Sequence, residues 1–422
     1  MTTDVTTGEV AAEAAGAPAG RPGRPARVVL ISVIGLHLVA ETALTPFLPQ
    51  LFERLYGITD PGATGGYLWI CRIVGLAALP LWGLAARRWP LHRLVLAGLC
   101  GSAVFDLLLG LAPSHAAYTV LSGAVVATNS ALLLAYPAFI AEHDGAGERG
   151  EGARLAGICS IVVVFHLSTV VATAVGAGVL ALPEPRVGIS AFAVLDVALA
   201  VLTFRILGRR AASSAAAGPV PAVREAPRRG VRFAVLAQAA LVGVMFDFSV
   251  NVARPFFTEF ADGLGGGPAG SAVLFFLPSV AALAVLPVVR RCHGLLGDRL
   301  LPVALAVGAA GLAWQALSSS VAGLAGGRLL FGTGLGLAQV AVELWAFRAT
   351  GTAGPAFTAV ETIRSAGLLA APLVAATAVS HDLALPIAVA AVVQVFALAL
   401  SARRAGAGPV LPSLTYSEEK TP

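Results

Sequence analysis

Glu41 and Asp247 are carboxylates set inside long apolar runs. An ionisable side chain at membrane depth is costly to hold, so it needs a partner or a water-filled cavity and usually serves function. A carboxylate placed there can load and release a proton, because a low dielectric disfavours its charged form. The two acids share a pattern. Each opens a stretch that reads acid, seven residues, Pro, three residues, Glu, three residues, Gly. The first holds Glu41, Pro49, Glu53 and Gly57, and the second holds Asp247, Pro255, Glu259 and Gly263. The offset is 206 residues throughout, and Arg93 and Leu94 recur as Arg299 and Leu300 at the same offset. In a chain of 422 residues this reads as a duplicated half.

Asn251 and Arg254 follow Asp247 at i+4 and i+7, which puts all three on one face of a helix. Paired charges that only fix helix packing would show the same spacing, so both readings stay open. Arg72 lies in the outer third of the second apolar run, within reach of the first. His166 stands alone in the fifth run and reads first as a hydrogen-bonded packing residue. Asp106 is expected at the outer interface, and Asp196 is expected to find a hydroxyl or backbone partner. No His-Glu-x-x-His, Gly-x-Ser-x-Gly or Walker loop occurs. The four cysteines have neither metal-ligand nor disulfide spacing, and no cofactor is expected.

The elements that position these residues follow from composition. Residues are 57% hydrophobic and 12% charged, with mean hydropathy +0.84. A soluble domain carries about 25% charged residues, so the bilayer must be the solvent for most of this chain. The net charge of +5 follows topology and is no sign of nucleic-acid binding. Twelve apolar segments are each about long enough to span: 28–51, 65–84, 91–112, 116–141, 154–180, 187–207, 231–258, 269–289, 300–318, 322–348, 357–379 and 383–402. Residues 1–27 and 405–422 read as polar disordered tails, and 208–230 as a flexible Ala/Pro/Arg-rich linker between 28–207 and 231–404. With the amino terminus inside, 22 of the 28 basic residues fall on the inner side. Only Arg54, Arg186 and Arg328 fall outside, and Arg72, Arg254 and Arg364 lie within segments. This is a positive-inside signal with both termini cytoplasmic.

Six plus six helices, inside termini, a central inner linker and the repeat together resemble the major facilitator superfamily over residues 28–404. The loop motif of that family, Gly, three residues, Asp-Arg, one residue, Gly, then basic residues, is matched by Gly83, Arg88 and Arg93. Arg87 stands in place of its Asp and Pro90 in place of its Gly. The Gly-Pro-x-x-Gly-Gly motif of its drug antiporters is reduced to Gly176 and Gly178. The resemblance implies an all-α integral membrane fold of two pseudo-symmetric six-helix bundles, with helices 1, 4, 7 and 10 around a central cavity. Those helices carry Glu41, Asn129, Asp247, Asn251, Arg254, Gln339 and Glu343, with Arg72 nearby.

It implies a monomeric secondary transporter of the cell membrane, not an enzyme, that works by alternating access. The expected activity is proton-coupled efflux of a drug, siderophore or other small metabolite. Import is the alternative, and a membrane-embedded enzyme or sensor is a third reading. The expected partners are protons, the substrate and lipid. Glu41 and Asp247 would couple protons, with Arg254 and Arg72 as countercharges. At the inner gate Arg87 and Arg88 would meet Glu361, while Arg290 and Arg291 would meet Glu148 and Glu151. The arginines would stand there equally if they served only as topology signals.

Overall fold

The computed structural model describes residues 35–86, 88–133, 151–205, 233–350 and 355–403, without the side chains of 91–92, 151–154 and 355–358. The expected tails, the linker, the end of the fourth segment, Arg87, Glu148 and the side chain of Glu151 lie outside these residues.

Among the described residues there are helices and no strands. Among the described residues, eight helical runs are long and apolar enough to cross a membrane, as in a helical membrane protein. The helices are α1 (35–42), α2 (Leu48–Tyr56), α3 (Pro61–Ala85), α4 (Leu91–Leu109), α5 (His115–Leu133), α6 (Glu151–Ala181) and α7 (Pro185–Thr203). They continue with α8 (Phe233–Val252), α9 (Phe257–Gly263), α10 (Gly267–Val285), α11 (Val289–Leu296), α12 (Leu300–Ala316), α13 (Val321–Thr350), α14 (Pro355–Gly367), α15 (Ala370–Val379) and α16 (Leu385–Ala402).

The first apolar segment is broken just past Glu41. Helix α1 stops at residue 42, a 3-10 turn covers Thr45–Phe47, and α2 begins at Leu48. Pro46 and Pro49 lack the N–H that a continuous helix needs. The carbonyl of Pro46, freed by the break, accepts from Thr258 Oγ1 at 2.6 Å. Thr258 also receives Gln50 Nε2 at 3.1 Å. Gly176 of α6 leaves room for this turn, since a Cβ there would fall on the Ala43 carbonyl. Helix α2 ends on Gly57, whose φ of 67° permits the left-handed cap and whose N–H reaches the Glu53 carbonyl. The seventh segment breaks similarly, between α8 and α9, around Pro255. The two broken helices therefore meet at one end of the bundle, called here the α2–α9 end.

Close backbone approach sets the direction of the helices around α13. Gly332 and Gly336 of α13 lie against Pro278 and Ala282 of α10, so these two helices run parallel. Gly327 and Gly334 lie against Gln315 and Gly308 of α12, so α12 runs antiparallel to α13. The run Gly267–Ala316 thus reverses on itself through α11. Small residues let membrane helices approach where apolar burial alone gives no driving force. Further packing joins α3 to α15 and α6 to α10.

Candidate functional site

A cavity of about 360 Å³ lies between α1, α6, α8, α10 and α13. It is lined by Glu41 and by Asp247, the two acids related by the 206-residue offset. Asn251, Arg254, Gln339, His166 and Arg328 also face it. The sequence-derived group is therefore brought together in part.

The break in the seventh segment alters the face expected for Arg254. Helix α8 ends at Val252, so Arg254 leaves the regular spiral, although it still lines the cavity. Arg254 is not the countercharge of Asp247. That role belongs to Arg364 of α14, whose Nε lies 2.8 Å from Asp247 Oδ2 and whose Nη2 lies 3.2 Å from Oδ1. This is the forked geometry in which a guanidinium binds a carboxylate most strongly. Arg364 Nη1 also reaches Glu343 Oε1 at 2.9 Å and Glu361 Oε1 at 2.6 Å. One cation, itself 7% exposed, thus holds three carboxylates from α8, α13 and α14.

Arg72 donates through Nη2 to Asn251 Oδ1 at 2.9 Å and through Nη1 to the Leu368 carbonyl at 3.4 Å, and Glu41 of the first helix and Asp247 both act on its charge from nearby. Asn251 in turn donates to the Asp247 carbonyl at 2.8 Å. Arg72 and Glu343 do not line the cavity and act one layer behind it. Asn129 is buried elsewhere on α5, with its Oδ1 unpartnered among the described residues. Glu41 lies 3.6 Å from His37 Nε2, one helical turn away.

Arg328 was counted with the arginines of the outer side, and it is buried inside α13. Its Nε donates to the Leu274 carbonyl at 2.8 Å, Nη2 to the Phe275 carbonyl at 2.5 Å, and Nη1 to Gln315 Oε1 at 3.4 Å. Its guanidinium sits 3.9 Å above the Phe257 ring, a cation–π distance.

His166 Nδ1 pairs with Ser279 Oγ at 3.2 Å, as a packing histidine would, but the ring also faces the cavity. Asp106 is buried beside Ser102 and faces Asp196. Asp196 is fully buried, and neither of its oxygens has the expected partner among the described residues. Of the expected gate residues, Arg88 and Arg291 are exposed, and Glu361 is engaged by Arg364. Arg290 is also exposed. Among the described residues no group of three or more His, Cys, Asp or Glu could hold a metal.

The chain matches no protein-family profile, and no curated protein matches it.

Proposed function

We propose that this chain is a proton-coupled secondary transporter of the cell membrane that exports a small organic molecule by alternating access. In this reading twelve helices form two pseudo-symmetric bundles of the major facilitator type, both termini are cytoplasmic, and the α2–α9 end faces outward. The observation that carries it is the pair Glu41 and Asp247, two carboxylates at one sequence offset lining one cavity beside two broken helices. Broken helices beside a cavity are where transporters commonly bind substrate and coupling ion. Further support comes from helix in each of the twelve apolar segments and from packing of α3 on α15 and α6 on α10 between the halves.

Two places can hold the coupling proton. One is Glu41, paired with a histidine. The other is the group at Arg364, where three carboxylates share one positive charge.

Everted vesicles with an acidic lumen and a pH-sensitive dye test the proposal. Addition of an exported compound from a panel of small metabolites should discharge the gradient, and the Glu41→Gln, Asp247→Asn double variant should not respond. Equal responses from wild type and double variant across the panel would overturn it. Import is the second reading, favoured by the cationic groups in the cavity. A proton on Glu41 and an anion near Arg254 would compensate each other and so travel together.

A further inference from the structure

The part of the cavity nearest the α2–α9 end holds Arg254 and Arg328, and no carboxylate among the described residues forms an ion pair with either. Arg254 stands at the break between α8 and α9. Its guanidinium lies 5.5 Å from the centroid of the Phe275 ring. Arg328 lies over that ring too, at 5.9 Å, so the two guanidinium groups share one aromatic neighbour. The hydrogen bonds of Arg328 go to two backbone carbonyls and an amide oxygen, all neutral. Arg72, behind the cavity wall, also spends its donors on Asn251 and the Leu368 carbonyl, although Glu41 and Asp247 act on its charge. Neutral acceptors satisfy the N–H groups but leave the charge. Like charges held together in a low dielectric repel, and an anion placed among them relieves that cost. Asp247 cannot supply it, because Arg364 already grips both of its oxygens. Glu41 lies across the cavity on α1, against His37.

The remaining wall describes the rest of a ligand. His166 is 1% exposed and lines the cavity, yet its Nε2 has no partner among the described residues. Gln339 Oε1 lines the same space without a fully formed hydrogen bond, and the Gln339 side chain lies within interacting reach of the imidazole. The two side chains form one polar patch on the cavity wall, open to a hydrogen-bonding group of a ligand. Phe165, Phe246, Phe331 and Leu335 supply an apolar surface beside them.

We propose that the cavity is a binding site for a small soluble organic carboxylate. Arg254 takes its anionic group, Arg328 and Arg72 add positive potential, the phenylalanines cover its apolar body, and His166 and Gln339 meet a hydrogen-bonding substituent. The proposal rests on the transport reading and names the substrate class for it. A volume of about 360 Å³ suits a small molecule and excludes a two-chain lipid.

The test is binding by the purified full-length protein in detergent, with no gradient and no turnover. Three probes of one shape are titrated calorimetrically: 1-naphthoate, 1-naphthamide and 1-naphthylmethylammonium. Wild type should bind the carboxylate at least about ten-fold more tightly than the amide, as expected for a charge-assisted contact, with the cation weakest. Arg254→Gln should remove that preference while leaving amide binding within about two-fold, and Arg254→Lys should keep part of it. Equal affinity for carboxylate and amide in wild type, tighter binding of the cation, or no binding of any probe would overturn the proposal. So would an Arg254→Gln protein that elutes and unfolds like wild type and keeps the preference. Carboxylate binding without gradient-driven transport would sink the transport reading and leave the site standing. Transport confined to uncharged or cationic compounds would do the reverse.

Discussion

Arg364 and Arg328 are buried to the same degree, each 7% exposed, and different chemistry holds each of them. Arg364 sits among Asp247, Glu343 and Glu361. Arg328 sits among backbone carbonyls, an amide oxygen and an aromatic ring. One end of the charge network is therefore over-supplied with anions and the other with cations. Asp247 and Arg254 are seven positions apart, on either side of the end of α8. An ion-paired arginine in an interior fixes helices against one another. A cation held only by neutral acceptors keeps its field for something else. The contrast separates a structural role at Arg364 from a ligand-binding role around Arg254, and each half of it can be broken by substitution.

The largest effect should follow loss of Arg364. Arg364→Gln leaves three carboxylates facing one another without their cation. Removing one partner of a buried pair costs about 3–5 kcal/mol, and the partial exposure of these acids places the expected loss toward the lower figure. Thermal unfolding in detergent should show it as a clear fall in midpoint. Adding Asp247→Asn and Glu343→Gln should recover at least half, because the repulsion then disappears with the charge. An unchanged midpoint in the single variant would mean that the network does not hold α14 against α8.

Arg328→Met should cost less. It strands the carbonyls of Leu274 and Phe275, at about 1–3 kcal/mol for a buried acceptor, but it also removes a cation from beside Arg254. Losing the stranded bonds and losing the repulsion act in opposite directions, so about 1 kcal/mol is expected. A loss as large as that of Arg364→Gln, in the same unfolding assay, would show that Arg328 is the structural charge of the pair and erase the contrast.

How far the sequence reveals this contrast depends on the range of each contact. The cavity acids were legible, because Glu41 and Asp247 lie in matching frames and the offset needs no structure. The partner of Asp247 was not. Spacing on one helix offers Arg254 as a neighbour, while Arg364 is 117 residues away and meets Asp247 only by packing of α14 on α8. Its signal was present as an arginine inside an apolar segment, but nothing in the sequence says which acid it faces. Arg328 was misplaced for a related reason. It falls near a segment end, where arginines commonly serve topology, but α13 begins at Val321 and carries Arg328 two turns inward. The breaks after α1 and α8 were marked by prolines, whose tolerance within spanning helices hid that the helices actually part there.

Glu41→Gln should leave stability within about 0.5 kcal/mol, since the side chain is partly exposed in the cavity and its imidazole neighbour remains. Transport should lose its dependence on pH. Retention of a wild-type pH profile in proteoliposomes would move the coupling proton to the carboxylates around Arg364 and give that end of the cavity a catalytic part as well as a structural one.

The smallest effect is expected at the rim of the α2–α9 end, where Glu53 and Glu259 line a small pocket with Asp60. These two glutamates are the repeat-related pair, and here like charges meet. Asp60 is committed to capping α3, accepting from the Gly62 N–H at 3.0 Å. Arg54, next to Glu53, is turned to the carbonyls of Leu182 and Pro183 at 2.7 and 2.9 Å. Burial, and then the Glu53 carboxylate, push the Glu259 carboxyl from the usual value near 4.5 up to about 7. A raised folded value means that the folded protein holds a proton that the unfolded chain releases earlier. The stabilisation is therefore complete below about 4.5 and is lost as pH rises through about 7. Glu53 is exposed and water screens the pair, so the change should not exceed about 1 kcal/mol. The unfolding midpoint in detergent should fall slightly from acid to neutral pH, and Glu259→Gln should flatten that slope. If the pair closes the rim, cysteine labelling of an introduced Thr59→Cys should quicken over the same interval in wild type and stay constant in the variant. A slope that survives Glu259→Gln would assign the pH response to another group and leave the rim glutamates as a solvated remnant of the repeat.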